Sequence, residues 1–177
     1  MSRSVKQAAG MNNSTSPKIL NGKWDLYYHL PSNSNWDLSS YKTIMKDIST
    51  VEEVISLNEK IDETIVKNSM LFLMRSGITP LWEDPKNRYG GCFSFKVVNK
   101  QVNSIWKALF YSVCGESLCL DIDNSNNING ITISPKRHFC IIKIWFNSCD
   151  FQDPNILINI EGLQKHGCLF KKHEPEF

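Results

Sequence analysis

Two apolar runs of strand length, Ser69–Met74 and Cys92–Val98, flank a stretch that no regular element can span: Thr79-Pro80-Leu81-Trp82-Glu83-Asp84-Pro85-Lys86-Asn87-Arg88-Tyr89-Gly90-Gly91. Pro80 and Pro85 each lack a backbone donor and fix φ, so neither suits a central strand. Gly90 and Gly91 permit backbone conformations that other residues avoid. The stretch is therefore a loop, and a loop normally sheds large apolar side chains. This one keeps Trp82 beside two carboxylates. An indole offers its π-face to a flat or cationic ring. A carboxylate offers two acceptors to a pair of parallel N–H donors, the pair that guanine carries on N1 and its exocyclic amine. The competing reading is a Trp tucked under its own loop next to a solvated Glu-Asp pair.

Around this loop the hydrophobic spacing alternates between sheet and helix. Residues 1–18 are rich in Ser, Asn and Lys and are expected to be a disordered tail, with residues 19–177 forming one domain. Trp24 to Leu30 reads as a strand with Trp24, Leu26, Tyr28 and Leu30 on one face. Trp36 follows in a loop, and Tyr41 to Ile48 reads as a second strand. Ser49 with Glu52, or Thr50 with Glu53, makes a capping box for a helix running to about Lys60. In Cys92–Val98, Phe93, Phe95 and Val97 point to the core, and Cys92, Ser94 and Lys96 to the other side. Gln101 to Cys114 has helical spacing, with Trp106 as a core residue and Gly115 as its stop. Asp121 to Asn129 reads as a surface loop and Gly130 to Ser134 as a short strand.

Phe139 to Phe146 is a dense strand in which Lys143 is the one charge, on the face of Ile141 and Trp145. A Lys there needs a counter-charge or an opening to solvent, unless it snorkels at an edge. Asp153-Pro154 predicts a helix start, with Ile156, Leu157, Ile160 and Leu163 as its buried stripe. Cys168 to Lys171 reads as a last strand. The order predicts an α+β fold: a curved antiparallel sheet with three helices on its convex face.

Composition removes several function classes. A net charge of +2 argues against nonspecific coating of long nucleic acid. No apolar run reaches membrane-span length, and the amino end lacks the apolar core of a secretory signal. A cytoplasmic protein without membrane contact is expected. His138/Cys140 and His166/Cys168 are weak metal-ligand spacings, and free thiols in a reducing compartment account for them better. No metal or other cofactor is expected. An enzyme acting on nucleotides would need a base, nucleophile or metal. The histidines are scattered, and Glu83 and Asp84 are adjacent rather than opposed.

In this order, Trp24, Trp36, Thr50-Val51-Glu52-Glu53, Leu71-Phe72, Gly77-Ile78, Pro80-Leu81-Trp82-Glu83-Asp84, Asn87, Gly90-Gly91, Trp106, Gly115-Glu116, Gly130 and Ile144-Trp145 make a set. With that set the chain resembles the mRNA 5′-cap-binding family, eukaryotic translation initiation factor 4E, over about residues 19–146. It looks like a divergent member. Its richness in Asn, Ile and Lys is that of AT-rich genomes, a parasite's or a large DNA virus's. The resemblance implies a cap slot on the concave face of the sheet, with capped mRNA as partner and 7-methyl-GTP as minimal ligand. Trp36 and Trp82 would stack on the methylated base, with Tyr41 as the alternative to Trp36, because the spacing from Trp36 to Thr50 is longer than usual. Glu83 would read the guanine edge, the Trp82 backbone N–H would bond O6, and Trp145 would contact the N7 methyl. Lys136 stands at the family's phosphate-binding Arg and Ile141 where a Lys is expected; Lys143, Arg137 and His138 are further phosphate candidates. Cys92 replaces a frequent Arg, and Phe93 a Trp.

The partner-binding face corresponds to Val51, Ile55 and Lys107. Ile55 replaces a Trp and Lys107 a Leu, which weakens the expected docking of a scaffold subunit. The resemblance thus implies an initiation factor, or alternatively a cap-binding repressor or decoy that does not bind the scaffold. The carboxy-terminal region is short, so the loop over the cap's second nucleotide is expected to be absent or rebuilt.

Overall fold

The computed structural model describes residues 16–174. Most of the expected tail, residues 1–15, lies outside the described residues. Lys18 is already ordered: its carbonyl accepts from the Val51 N–H at 2.8 Å. Seven strands follow: β1 Ile19–His29, β2 Lys42–Thr50, β3 Met70–Arg75, β4 Gly91–Val98, β5 Ile128–Pro135, β6 Phe139–Phe146 and β7 Leu169–Lys172. They form one sheet in the order β2-β1-β3-β5-β6-β4-β7, with every neighbouring pair antiparallel. Register shifts in the β1–β2 pairing and between Ile128 and Gly130 of β5 bend it. Gly130 is required there, because a Cβ would run into the Leu73 carbonyl of β3.

Helices α1 Val51–Lys60, α2 Glu63–Asn68 and α3 Val102–Cys114 cover one face, and a single-turn α4 spans Ile122–Ser125. Of the two capping boxes open to α1, the chain uses Thr50 with Glu53. The Thr50 hydroxyl accepts from the Glu53 N–H at 3.2 Å, and the Glu53 carboxylate accepts from the Ser49 and Thr50 N–H groups at 2.9 and 3.0 Å. These donors, the Ser49 N–H first, hold the Glu53 carboxyl below its usual range. Between sheet and helices lies the main core, with Trp24, Leu26, Phe93 and Phe95 facing Val54, Val66, Trp106 and Phe110. Each fully buried aromatic or large aliphatic side chain there is worth about 1.5–3 kcal/mol of burial free energy.

Two helical expectations change. The helix predicted from Asp153 is only a 3-10 turn, Pro154–Ile156. Asp153 does cap it, accepting from the Asn155 N–H at 2.9 Å. Beyond the turn, the β-branched run around Ile156, Ile158 and Ile160 disfavours helix. Its backbone bonds go elsewhere: Ile158 N–H donates to the Leu118 carbonyl, and the Leu120 N–H to the Ile156 carbonyl. Leu157, in an isolated antiparallel bridge to Cys119, and Leu163 are still buried, but outside any helix. The third helix of the layer is instead α2, which the sequence reading passed over. Asp62 caps it and Val66 anchors it in the core; six residues are too few to display a helical period.

The opposite face of the sheet carries a second, smaller cluster. Tyr27, Phe72, Met74, Ile78, Cys92 and Trp145 form it, with Tyr41, Met70 and Trp82 packed against its rim. The alternation predicted for β4 holds: Phe93, Phe95 and Val97 enter the main core, and Cys92 the second cluster.

Candidate functional site

On that second face lies a cavity of about 900 Å³, at the upper end of what small-molecule sites show. Its walls come from the β1–β2 connection, the 79–91 loop and the open face of β3, β5 and β6. It brings together Trp36, Tyr41, Trp82, Glu83, Lys136, Lys143 and Trp145. Of the expected phosphate residues, Arg137 and His138 stand apart, exposed in the β5–β6 turn. Val51, Ile55 and Lys107 lie away from the cavity on α1 and α3. There Ile55 is 48% exposed, and Lys107 is tied to Glu59 at 3.0 Å.

The 79–91 loop is tied together by its own polar side chains, Asp84 among them, which the competing reading had left solvated. The Asp84 carboxylate accepts from the Thr79 N–H and hydroxyl, both at 2.7 Å, and from the Lys86 N–H at 2.9 Å. Burial works to raise its pKa, but the Thr79 and Lys86 hydrogen bonds outweigh it and hold the carboxyl below its usual range. Asn87, fully buried, donates to the Thr79 and Leu81 carbonyls at 2.9 and 2.8 Å and accepts from Asn129 at 2.9 Å. Gly90 and Gly91 are needed for a reason other than unusual φ. A Cβ on Gly90 would strike the Phe146 carbonyl, and one on Gly91 the Phe170 ring. The two carboxylates of the loop thus divide. Asp84 is consumed by the loop, whereas Glu83 is exposed and makes no hydrogen bond or ion pair among the described residues.

The three indoles differ in how they are held. Trp36 is half exposed, with one face stacked on the buried His29 ring at 4.4 Å and an interplanar angle of 4°. His29 is fixed in turn by donating from Nε2 to the Asn35 carbonyl at 2.8 Å. Tyr41 packs edge-on against Phe72, 5.1 Å between ring centroids. Burial, with the Glu83 charge adding to it, pushes its phenol up to about 12. Trp145 is the floor, 3% exposed, donating from Nε1 to the Thr132 hydroxyl at 3.3 Å.

Trp82 stacks on His173, 5.6 Å between centroids and 17° apart. His173 also lies 4.7 Å from Trp145 and donates from Nδ1 to the Asn87 carbonyl at 2.7 Å. Burial first, with Lys143 adding, lowers its pKa against the opposing Asn87 bond. Two ammonium groups also reach the Trp82 indole: Lys143 Nζ at 5.5 Å and Lys171 Nζ at 5.2 Å from its centroid. Cys92, in the place of an expected Arg, is a fully buried thiol whose pKa burial raises.

His29, His173 and Lys171 were not singled out from sequence. His173 is brought under the loop by β7 pairing with β4 and by its N–H donating to the Gly90 carbonyl at 2.9 Å. No local pattern marks that contact. For His29 a signal existed: its position one past the alternating strand residue Tyr28 puts it on the face opposite Trp24 and Leu26.

Residues 19–173 match the family model described as eukaryotic initiation factor 4E. The eukaryotic translation initiation factor 4E of Eremothecium gossypii is 35% identical over 136 residues, 73% of this chain and 62% of that one. A homolog of eukaryotic translation initiation factor 4E from Acanthamoeba polyphaga mimivirus is 42% identical over 62 residues, 35% of this chain and 23% of that one. The chain thus spans less than two thirds of the length of these relatives. Among solved structures, schistosome eIF4E complexed with m7GpppG and 4E-BP shares 25% identity at a TM-score of 0.67, covering 76% of this chain and 75% of that one. Ascaris suum eIF4E-3 with m7G cap has a similar fold, with 24% identity, a TM-score of 0.67 and 77% of both chains covered.

Proposed function

The chain belongs to the eukaryotic initiation factor 4E family, and on that premise we propose that it binds the 7-methylguanosine 5′ cap of mRNA in the cytoplasm and serves translation initiation. Residues 19–177 act as the cap-binding unit. One observation carries the reading: a single cavity gathers three indoles, one uncommitted carboxylate and lysines. Methylation at N7 gives guanine a delocalised positive charge. Each indole face laid on such a ring contributes on the order of 1–3 kcal/mol. Trp36 and Trp82 take the two faces, since an indole is a better cation–π face than a phenol and each indole is backed on one side by a histidine ring. Glu83 accepts from guanine N1 and the exocyclic amine, the Trp82 N–H bonds O6, and Trp145 meets the N7 methyl. Lys136 and Lys143 hold phosphates, and Arg137, exposed in the β5–β6 turn outside the cavity lining, is the further phosphate candidate.

The convex helical face is the proposed dock for a scaffold subunit, through Val51, Ile55 and Lys107. Exposed Ile55 supplies apolar area, but Lys107 must leave Glu59 or carry that pair into the interface.

The test is calorimetric titration with 7-methyl-GTP and with GTP. The methylated ligand should bind at least about tenfold tighter, since one cation–π face is worth about 1.4 kcal/mol or more. Glu83→Gln places a donor against a donor and should lose about tenfold or more. Trp36→Ala should weaken binding more than Tyr41→Ala. Equal affinity for the two nucleotides would refute the proposal.

A further inference from the structure

Trp36 offers the cavity only one of its two faces. The other is covered by the His29 ring, parallel to within 4° at 4.4 Å between centroids. His29 is 0% exposed and shares its face of β1 with Tyr27 of the cavity cluster. Its Nε2–H donates to the Asn35 carbonyl, so Nδ1 is the bare nitrogen, and Nδ1 is buried without a hydrogen-bond partner. A further proton can enter only there. The rings against His29 are uncharged: Trp36 and, at 4.8 Å, Tyr41, whose phenol is pushed up to about 12. Met70 stands opposite it on β3. Of the charged groups around it, Asp37 and Glu83 line the same cavity and Lys42 stands opposite Tyr28 on β2. Neither carboxylate has an ion pair among the described residues, so both favour a charged imidazole, and Lys42 opposes it. Lys136, Lys143 and Glu174 complete the charged lining.

Resting on the cap reading above, we propose that the proton on His29 sets how well the site tells a methylated cap from an unmethylated one. The two faces of an indole share one π-system. While the imidazole is neutral, that system is free to face a cationic base. Once Nδ1 is protonated, an imidazolium behind Trp36 draws on the same π-electrons and repels the positive charge of a 7-methylguanine in front. Unmethylated guanine carries no such charge and keeps its ordinary stacking. His29 therefore acts through Trp36 rather than on the ligand, and it governs specificity for charge rather than for shape.

A stacked base lies roughly 3.5 Å in front of the indole, hence about 8 Å from the imidazole behind it. Two unit charges at that separation predict about a twofold loss of affinity at the dielectric of water and about thirtyfold at an effective dielectric of ~20. The measurement is the ratio of affinities for 7-methyl-GpppG and GpppG, by calorimetry from pH 6.5 to 5. Over that range the bridging phosphates stay ionised and the methylated base keeps its charge, and effects of acidity that both ligands share cancel in the ratio. The unaltered protein should lose discrimination by about twofold or more. His29→Phe keeps a ring behind Trp36 that cannot take a proton and should abolish most of that fall; His173→Phe, behind Trp82, reports the remainder. By reciprocity, at pH 5.5 the methylated ligand should expel protons that the unmethylated one leaves in place, read as a buffer-dependent heat in the unaltered protein. A ratio indifferent to pH, or a fall of the same size in His29→Phe, would overturn the proposal. Equal binding of the two ligands at pH 7.5 would sink the cap reading itself, whereas a clear preference at pH 7.5 that acid leaves untouched sinks this inference alone.

Discussion

Replacing Asn87 tests whether the recognition loop is held as described. Its side chain is 0% exposed, donates to the Thr79 and Leu81 carbonyls and accepts from Asn129. Asn87→Ala removes all three hydrogen bonds, and at a net value of about 1 kcal/mol each the protein should lose about 3 kcal/mol of stability. Asn87→Asp keeps the shape and the acceptor toward Asn129. It also turns a carboxylate oxygen onto two carbonyl oxygens, so it should cost more than the alanine, about 4 kcal/mol or more. Urea unfolding followed by circular dichroism at pH 7.5 measures both. Trp82 and Glu83 ride on the same loop, so 7-methyl-GTP affinity should fall in step with stability. The reasoning is refuted if Asn87→Ala lies within about 0.5 kcal/mol of the parent, the range of an ordinary surface change, or if Asn87→Asp is no worse than Asn87→Ala.

Other perturbations separate the remaining supports. His29→Ala uncovers one face of Trp36 and should weaken 7-methyl-GTP binding by about 0.5–1.5 kcal/mol, the value of an aromatic pair; His29→Phe keeps the ring and should restore most of it in the same titration. His173 is held neutral with a lowered pKa, so the unfolded chain takes up its proton first as pH falls. Its contribution is therefore complete above its usual value of 6.5 and declines as pH drops from there through the lowered native value; urea unfolding between pH 7.5 and 5 should show this, and His173→Phe should flatten it. Thr50→Ala removes the cap of α1 and should cost about 1 kcal/mol in thermal unfolding, with no effect on ligand affinity.

Much of this architecture was written in local patterns. The alternation of Phe93, Phe95 and Val97 and the spacing of Val102–Cys114 are set by burial against a single face, so they survive in the sequence as periods. The segment after Asp153 was misread because the cap signal was real while the residues behind it found backbone partners at Leu118 and Leu120, far away in sequence. The site divides in the same way. Trp36, Trp82 and Lys143 stood out because a loop or a strand face carried a residue out of keeping with it; Glu83 stood out through its place beside Trp82, and Trp145 only through the family resemblance. His29, His173 and Lys171 owe their positions to tertiary contacts with the Trp36 and Trp82 rings. The roles of Asp84 and Asn87 became visible only when their hydrogen-bond partners were known.

The distribution of tryptophan has an optical consequence. Trp24 and Trp106 are sealed in the helix-side core at 0% exposure, whereas Trp36, Trp82 and Trp145 line the cavity. Intrinsic emission therefore comes from two populations, one that a bound base can quench and one that it cannot reach. The sealed pair acts as an internal reference lamp, so a quenching curve should level off well above darkness. Its residual light should respond to denaturant and remain indifferent to ligand, letting one cuvette report occupancy and integrity separately.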